Sequence, residues 1–161
     1  MSEIKFRAWC ISERKMYHEV QCAYDYTLMY YPDAFDGEPA PAACFQELLN
    51  SDDFIVEQYT GLKDKNGVEI YEGDIVLMHR FLFEGVEVEK QIGGVIGWGE
   101  YGVTLRQIRN KYIEEYCGYD AGEGELYLTY LYGLHEDSWE VIGNIHQNPE
   151  LLEVGAQRHA T

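Results

Sequence analysis

The sequence predicts a mainly β fold in a single domain spanning residues 1–161. Apolar and polar residues alternate at period two in several short stretches, a pattern typical of half-buried strands. The chain is 14% aromatic and contains 14 tyrosines, which favour strands. Glycine and asparagine turn signals separate these stretches. With 161 residues, 46% of them hydrophobic, the chain is long enough to bury a core.

The charge balance limits the possible partners. Asp and Glu number 29 against 12 Lys and Arg, giving a net charge of −17. This charge opposes phosphate backbones and anionic lipids, so we expect neither nucleic-acid nor membrane binding. The amino terminus lacks the apolar run of a signal peptide, and no stretch approaches the ~20 apolar residues of a membrane span. We therefore expect a cytoplasmic protein.

The four cysteines do not indicate a metal or redox site. They form no C-x-x-C pair, the spacing typical of zinc ribbons and redox dithiols. We expect reduced, partly buried thiols and no cofactor.

The first element predicted is a β-hairpin. Ile4–Trp9 alternates apolar and basic residues, and the pattern resumes in Met16–Val20. Lys5 and Arg7 are expected to face solvent from a half-buried sheet. The alternative is a basic binding face on this strand.

Residues 22–53 are predicted to be an insertion. Four tyrosines crowd its beginning: Tyr24, Tyr26, Tyr30 and Tyr31. Such a cluster can mark a protein-binding surface, although tyrosines also suit a buried sheet. Prolines then interrupt regular structure. Ala42–Asn50 is predicted to be a helix, with Phe45, Leu48 and Leu49 on one side.

The clearest turn signals lie in residues 58–76. Phe54–Tyr59 is a predicted strand, Val68–Tyr71 another, and Ile75–Met78 a third. The turn residues between them are Gly61, Asn66, Gly67, Gly73 and Asp74. Asn-Gly is a strong hairpin signal, here in a connection longer than two residues. A Gly-Asp corner before an apolar strand is typical of small SH3-like barrels.

Three blocks of the sequence resemble the YopX family of bacteriophage and prophage proteins. Tyr59–Gly67 with Tyr71–Val76 is similar to the family signature, and Ile4–Trp9 to its opening. Glu140–Ile145, followed by Asn148–Leu152, is similar to its ending. The resemblance implies a mostly β, barrel-like fold with an inserted, partly helical segment, and a phage or prophage origin. It implies no activity and assigns no catalytic residue.

The middle of the chain continues the β pattern. Gly85–Glu89 alternates, and Ile92–Gly99 is an apolar run whose glycines suggest bulges. These glycines lack the Lys-Ser/Thr that a phosphate-binding loop requires. Val103–Leu105 is a further predicted strand.

A short helix and an acidic loop are predicted next. Helical spacing predicts the helix, with an apolar side formed by Ile108, Tyr112, Ile113 and Tyr116. The acidic loop Gly118–Gly124 could attract calcium but lacks the EF-hand order, so no metal site is predicted.

The second tyrosine-rich segment is a predicted strand, Leu126–Tyr132. It contains Tyr127, Tyr130 and Tyr132, a second candidate interaction surface. The following His135–Trp139 has the residue types of a catalytic triad, but neighbours in one loop cannot converge with the required geometry. Glu140–Ile145 should be the last strand.

The chain is predicted to end in a short helix and a frayed tail. Asn148 should cap the helix, with Pro149 in its first position. Residues 155–161 lack an apolar anchor.

These patterns predict a non-catalytic interaction module that binds a host or phage protein, or self-assembles, through its tyrosine-rich surfaces. One alternative is an acidic inhibitor that mimics DNA. Another is a nucleic-acid-binding barrel stacking bases on Trp9, Trp98 or Tyr101. An enzyme using acids such as Asp74 or Glu100 is the remaining alternative.

Overall fold

A computed structural model describes residues 3–22, 45–78, 81–83, 86–88, 92–109, 126–127 and 139–153. The described chain is mainly β with few short helices, as predicted. Its elements are β1 (Phe6–Cys10), β2 (Lys15–Tyr17), a 3-10 helix (Val20–Cys22), α1 (Phe45–Asn50), β3 (Phe54–Lys63), β4 (Glu69–Tyr71), β5 (Asp74–Met78), β6 (Phe81–Phe83), β7 (Val86–Val88), β8 (Ile92–Gly99), β9 (Gly102–Arg109), β10 (Leu126–Tyr127), β11 (Trp139–Asn144) and α2 (Glu150–Glu153). The SH3-like barrel stays a prediction.

The chain divides into two compact units, Met1–Gly61 and Leu62–Thr161. Strand β3 lies mainly in the first unit, and β4 lies in the second. No helix among the described residues has both the length and the apolar character needed to cross a membrane.

In the first unit, β1 lies between β2 and β3 and pairs with both in antiparallel fashion. The predicted amino-terminal hairpin is therefore confirmed, although Val20 begins the 3-10 helix instead of extending β2. Every second residue of β1 faces the core, which β3 and α1 complete. The core cluster and the side chains packed against it are Ala8, Cys10, Tyr17, Val20 and Leu48, with Phe6, Phe45, Phe54 and Val56.

Helix α1 contributes one side to this core. Leu48 is fully buried and Phe45 packs beside it, three residues earlier and therefore on the same helix face. Leu49 is 51% exposed, so the prediction that it shares this face is wrong. The described end of the predicted insertion thus helps to build the first unit, while its earlier residues lie outside the described part.

Arg7 corrects a second prediction. It was expected to face solvent, but only 5% of its surface is exposed. Its Nε donates to a carboxylate oxygen of Glu57 at 2.7 Å, and the two residues are register partners on β1 and β3. The charge is tolerated inside because the opposite charge lies directly across the strand pair. Lys5 is also largely covered, with its amino group near Glu3, Glu19 and the Tyr59 ring.

The second unit contains a five-stranded antiparallel sheet in the order β10-β9-β8-β5-β11 and a two-stranded ribbon of β6 and β7. In β5, Ile75, Val76 and Met78 are buried, as expected for a strand with neighbours on both sides. The pairing of β8 with β9 shifts between Gly93 and Val95, so the ladder is irregular in the predicted glycine-rich stretch. The extra residue is on β9, where Gln107 and Ile108 stand opposite Gly94, and not on the glycine strand itself.

Two predictions for the later chain change. Strand β9 continues to Arg109, so a helix starting at Ile108 is wrong there, because pairing with β8 extends that far. The rest of that helix, the acidic loop and residues 128–132 lie outside the described chain. The second prediction is that Asn148 caps the last helix. Asn148 Oδ1 accepts the Asn144 N–H at 3.3 Å, so this side chain bonds back to β11, the strand that precedes α2.

The buried ion pair yields a stability prediction. Replacing Glu57 with Leu leaves the Arg7 charge buried without this partner, and we expect the free energy of unfolding to fall by about 3–5 kcal/mol. The double variant Arg7→Met/Glu57→Leu removes both charges and should recover most of this loss. Urea unfolding followed by circular dichroism measures both. A double variant no more stable than Glu57→Leu would contradict the prediction.

Candidate functional site

The turn after β3 is built around Asp64. The Gly67 N–H donates to the Asp64 carbonyl at 2.9 Å, and the Asp64 N–H donates to the Val68 carbonyl at 2.8 Å. Gly67 has φ +79°, whereas Asn66 has no positive φ. This is a three-residue hairpin loop, a type I turn followed by a left-handed glycine. The prediction of a connection longer than two residues is confirmed.

The Asp64 carboxylate ties this turn to the last strand. One oxygen accepts the N–H groups of Asn66 at 2.8 Å and Val68 at 2.9 Å. The other accepts the Val141 N–H at 2.9 Å, 77 residues later. The buried carboxylate thus holds both sides of the hairpin loop and β11 together.

Lys65 strengthens the same attachment. Its backbone N–H donates to the Trp139 carbonyl at 2.9 Å, and its amino group lies 3.0 Å from a carboxylate oxygen of Glu140. We call the contacts that Asp64, Lys65 and Gly73 make with Trp139–Ile145 the β11 junction.

The electrostatics of Asp64 follow from these contacts. Burial by itself raises the pKa of this carboxyl group, but the N–H groups of Val141, Val68 and Asn66, with the Lys65 charge, lower the pKa below its ordinary value of 3.8. The folded protein therefore favours the ionised carboxylate.

The corner before β5 completes the β11 junction. Gly73 has φ +82°. Its N–H donates to the Ile96 carbonyl, and its own carbonyl accepts the Ile145 N–H at 3.0 Å. Asp74 is 2% exposed, and its carboxylate accepts the Tyr71 N–H at 2.8 Å. Asp74, an acid considered for catalysis, therefore closes this corner.

The end of β11 is packed tightly against the chain that follows. A Cβ added at Gly143 would lie 2.5 Å from Asn148 Oδ1, so any larger residue here would have to displace Asn148. Asn144 Oδ1 accepts the N–H groups of His146 and Gln147, which turns the chain toward α2.

A separate polar cluster lies in the first unit. The Asp53 carboxylate accepts the Ser12 N–H at 2.9 Å and the Ser12 hydroxyl at 2.5 Å, while Cys10 Sγ lies 3.5 Å away. The Ser12 hydroxyl is the main cause of a lowered Asp53 pKa. A catalytic triad places a base between hydroxyl and carboxylate. In this cluster the Ser12 hydroxyl bonds directly to the Asp53 carboxylate. The cluster therefore attaches the β1–β2 turn to the start of β3.

The aromatic candidates fall into different environments. Trp9 is 8% exposed, too buried to stack a base, whereas Tyr101 is 67% exposed between β8 and β9. Trp98 is half-buried. Glu100, beside Tyr101, is exposed.

The predicted tyrosine surfaces are described only in part. Tyr127 lies in β10, the outermost described strand of the five-stranded sheet on that side. The others, Tyr24, Tyr26, Tyr30, Tyr31, Tyr130 and Tyr132, lie outside the described residues. Gly61 has φ +84° within β3, so the strand continues through a residue predicted to end it. Within the described ranges, no three His, Cys, Asp or Glu residues are grouped as metal ligands.

The role of Asp64 was missed in the sequence. Aspartate is favoured at the first position of a type I turn, and Asp64 stands three residues before Gly67, so a signal for its turn contacts existed. No local pattern signals the bond to Val141.

Asp64 carries a pH-dependent prediction. Asp64→Asn should lower the free energy of unfolding by about 2 kcal/mol at neutral pH, since an amide cannot accept all three bonds as a carboxylate does. Because the folded pKa is lowered, this contribution is present above the unfolded pKa and is lost as pH falls through the folded value. The two proteins should therefore converge in stability under acid.

Urea unfolding across a pH series measures this convergence. The exposed Asp52→Asn provides a matched control and should change stability little. A pH-independent gap between native protein and Asp64→Asn would show that the lost carboxylate charge is not responsible.

Thr104 gives a prediction of opposite sign. It is fully buried, and among the residues that the structure describes its hydroxyl oxygen has no hydrogen-bond partner. Thr104→Val keeps the shape and removes the unsatisfied hydroxyl, so the unfolding free energy should rise by about 1 kcal/mol. Thr104→Ala, which also leaves a cavity, should lower it. A valine variant with a lower urea midpoint would refute this account.

Comparison with known proteins identifies the family. The family model described as YopX protein matches residues 5–153. No curated protein matches the chain. Among solved structures, the crystal structure of protein EF1440 from Enterococcus faecalis is 26% identical, with a TM-score of 0.52, covering 95% of this chain and 100% of that one. The chain belongs to the YopX family.

Proposed function

We propose that this chain is a phage- or prophage-encoded, non-catalytic interaction module that acts in the cytoplasm of a bacterial host. It binds a host or phage protein, or a second copy of itself, through its tyrosine-rich segments. One observation carries the proposal: the segment Leu126–Tyr132 begins in β10, the outermost described strand on one side of the five-stranded sheet.

An outer strand is suited to binding because its backbone can add a further strand to the sheet. Such pairing gives affinity through main-chain hydrogen bonds, and side chains on alternate positions give selectivity. Tyrosine is enriched in protein interfaces because it combines a large apolar area with a polar tip. The combination of an outer strand with Tyr127, Tyr130 and Tyr132 supports a protein partner.

The contacts of the buried charged residues support the proposal that the protein is not an enzyme. Arg7 and Glu57 pair across two strands, Asp64 holds the β11 junction, and Asp74 closes a corner. Each of these groups is engaged in contacts that hold the fold, whereas an acid–base catalyst must reach a substrate. The family resemblance supports the phage or prophage origin.

Substituting the tyrosines tests the proposal. The variant Tyr127→Ser/Tyr130→Ser/Tyr132→Ser and a matching Tyr24→Ser/Tyr26→Ser/Tyr30→Ser/Tyr31→Ser variant are compared with native protein. Light scattering after size exclusion measures self-association, and affinity capture from host lysate measures partner binding. Loss of interface tyrosines should weaken binding about ten-fold or more. Tyr101→Ser, an exposed tyrosine outside both segments, is the control and should bind normally.

Salt distinguishes the proposal from DNA mimicry. A partner held by carboxylates imitating phosphates should be released at high salt, whereas an aromatic interface should persist. Capture that is lost with salt and unaffected by either tyrosine variant would overturn the proposal in favour of the acidic mimic.

A further inference from the structure

The Asn66-Gly67 pair forms the outer part of the hairpin loop. Both residues are exposed, and a Cβ placed on Gly67 would meet no atom within 4 Å. The Asn66-Gly67 dipeptide therefore lies at the protein surface, with open space beside the Gly67 Cα.

Asparagine followed by glycine can react without an enzyme. The Gly67 nitrogen, after losing its proton, attacks the side-chain carbonyl carbon of Asn66, a C–N bond forms, and ammonia leaves. Water then opens the cyclic imide at either carbonyl, giving aspartate or isoaspartate. The net reaction consumes one water, releases ammonia and involves no redox change. We propose that Asn66 is a site of this spontaneous deamidation and that Asp64 controls its rate.

The closed loop opposes the reaction through Asp64. The attacking nitrogen is the group whose N–H donates to the Asp64 carbonyl at 2.9 Å. The neighbouring N–H groups of Asn66 and Val68 are held by the Asp64 carboxylate. Deprotonating and redirecting the Gly67 nitrogen requires these bonds to open, so the reaction proceeds through the locally opened loop. Strengthening the closed form slows the reaction.

Conversion has a structural consequence at the β11 junction. Isoaspartate adds one backbone atom between residues 66 and 67, which displaces the Gly67 and Val68 N–H groups from their positions on Asp64. Either product also adds a negative charge to the loop whose N–H groups the Asp64 carboxylate binds. Because Asp64 also binds Val141, deamidation loosens the attachment of β11.

Peptide mapping by mass spectrometry, with chromatographic separation of aspartate and isoaspartate products, tests the proposal on the full chain. Native protein and Asp64→Asn are incubated at mildly alkaline pH, in buffer and in urea. Asp64→Asn should convert about ten-fold faster in buffer, the effect expected from losing a charge-assisted hydrogen bond that closes the loop. In urea the two rates should be equal. Asn66→Ser should give no product, and Asn50, followed by Ser51, is the internal control.

Three outcomes would overturn the proposal. Absence of conversion at Asn66 in urea would show that Asn66 is not a deamidation site. Equal rates for native protein and Asp64→Asn in buffer would show that Asp64 does not control the deamidation rate. Glu57→Leu destabilises the first unit and leaves Asp64 intact, so equal acceleration by that variant would assign the rate to general unfolding. Converted native protein should also melt at a lower temperature, whereas incubated Asn66→Ser should not change.

Discussion

The bond between Asp64 and Val141 is a constraint that joins the start of the second unit to its last strand. A hairpin loop fixes only its own two strands, and β11 comes from the far end of the chain. The Asp64 carboxylate satisfies two N–H groups of its own loop and one of β11, and Lys65 adds a backbone bond beside it. Since β11 also pairs with β5, this attachment places the strand that borders the sheet on one side.

In the first unit, a buried ion pair connects two strands that are distant in the sequence. Its central strand β1 buries residues on both faces, and Arg7 lies on the face opposite the apolar core cluster. Glu57 is its register partner on β3, so the pair forms only when the two strands align correctly. A shift by one residue would turn Arg7 and Glu57 to opposite faces, leaving two buried charges apart. The ion pair therefore selects the register.

Features that depend on neighbouring residues could be predicted from the sequence. Predictions were wrong where contacts with distant residues determine the structure. The mainly β fold and the hairpin loop follow from alternation and from glycine's backbone freedom. Arg7 was misplaced because its burial depends on Glu57, 50 residues away. The helix expected at Ile108 was wrong at its start because strand pairing overrides local spacing. At the candidate site, the corner residues were predicted but the bond from Asp64 to β11 was not.

The net charge bears on which partner the proposed interaction surface favours. Two copies of a chain carrying −17 each repel one another, and the repulsion acts over a screening length of about 8 Å at physiological salt. Pairing of β10 with a second copy works against this repulsion, whereas pairing with a neutral or basic protein does not. If the proposed tyrosine contacts form, the charge therefore favours a different protein over a second copy. Since screening weakens the repulsion, self-association through this strand becomes more favourable as salt rises, opposite to the behaviour of a charge mimic.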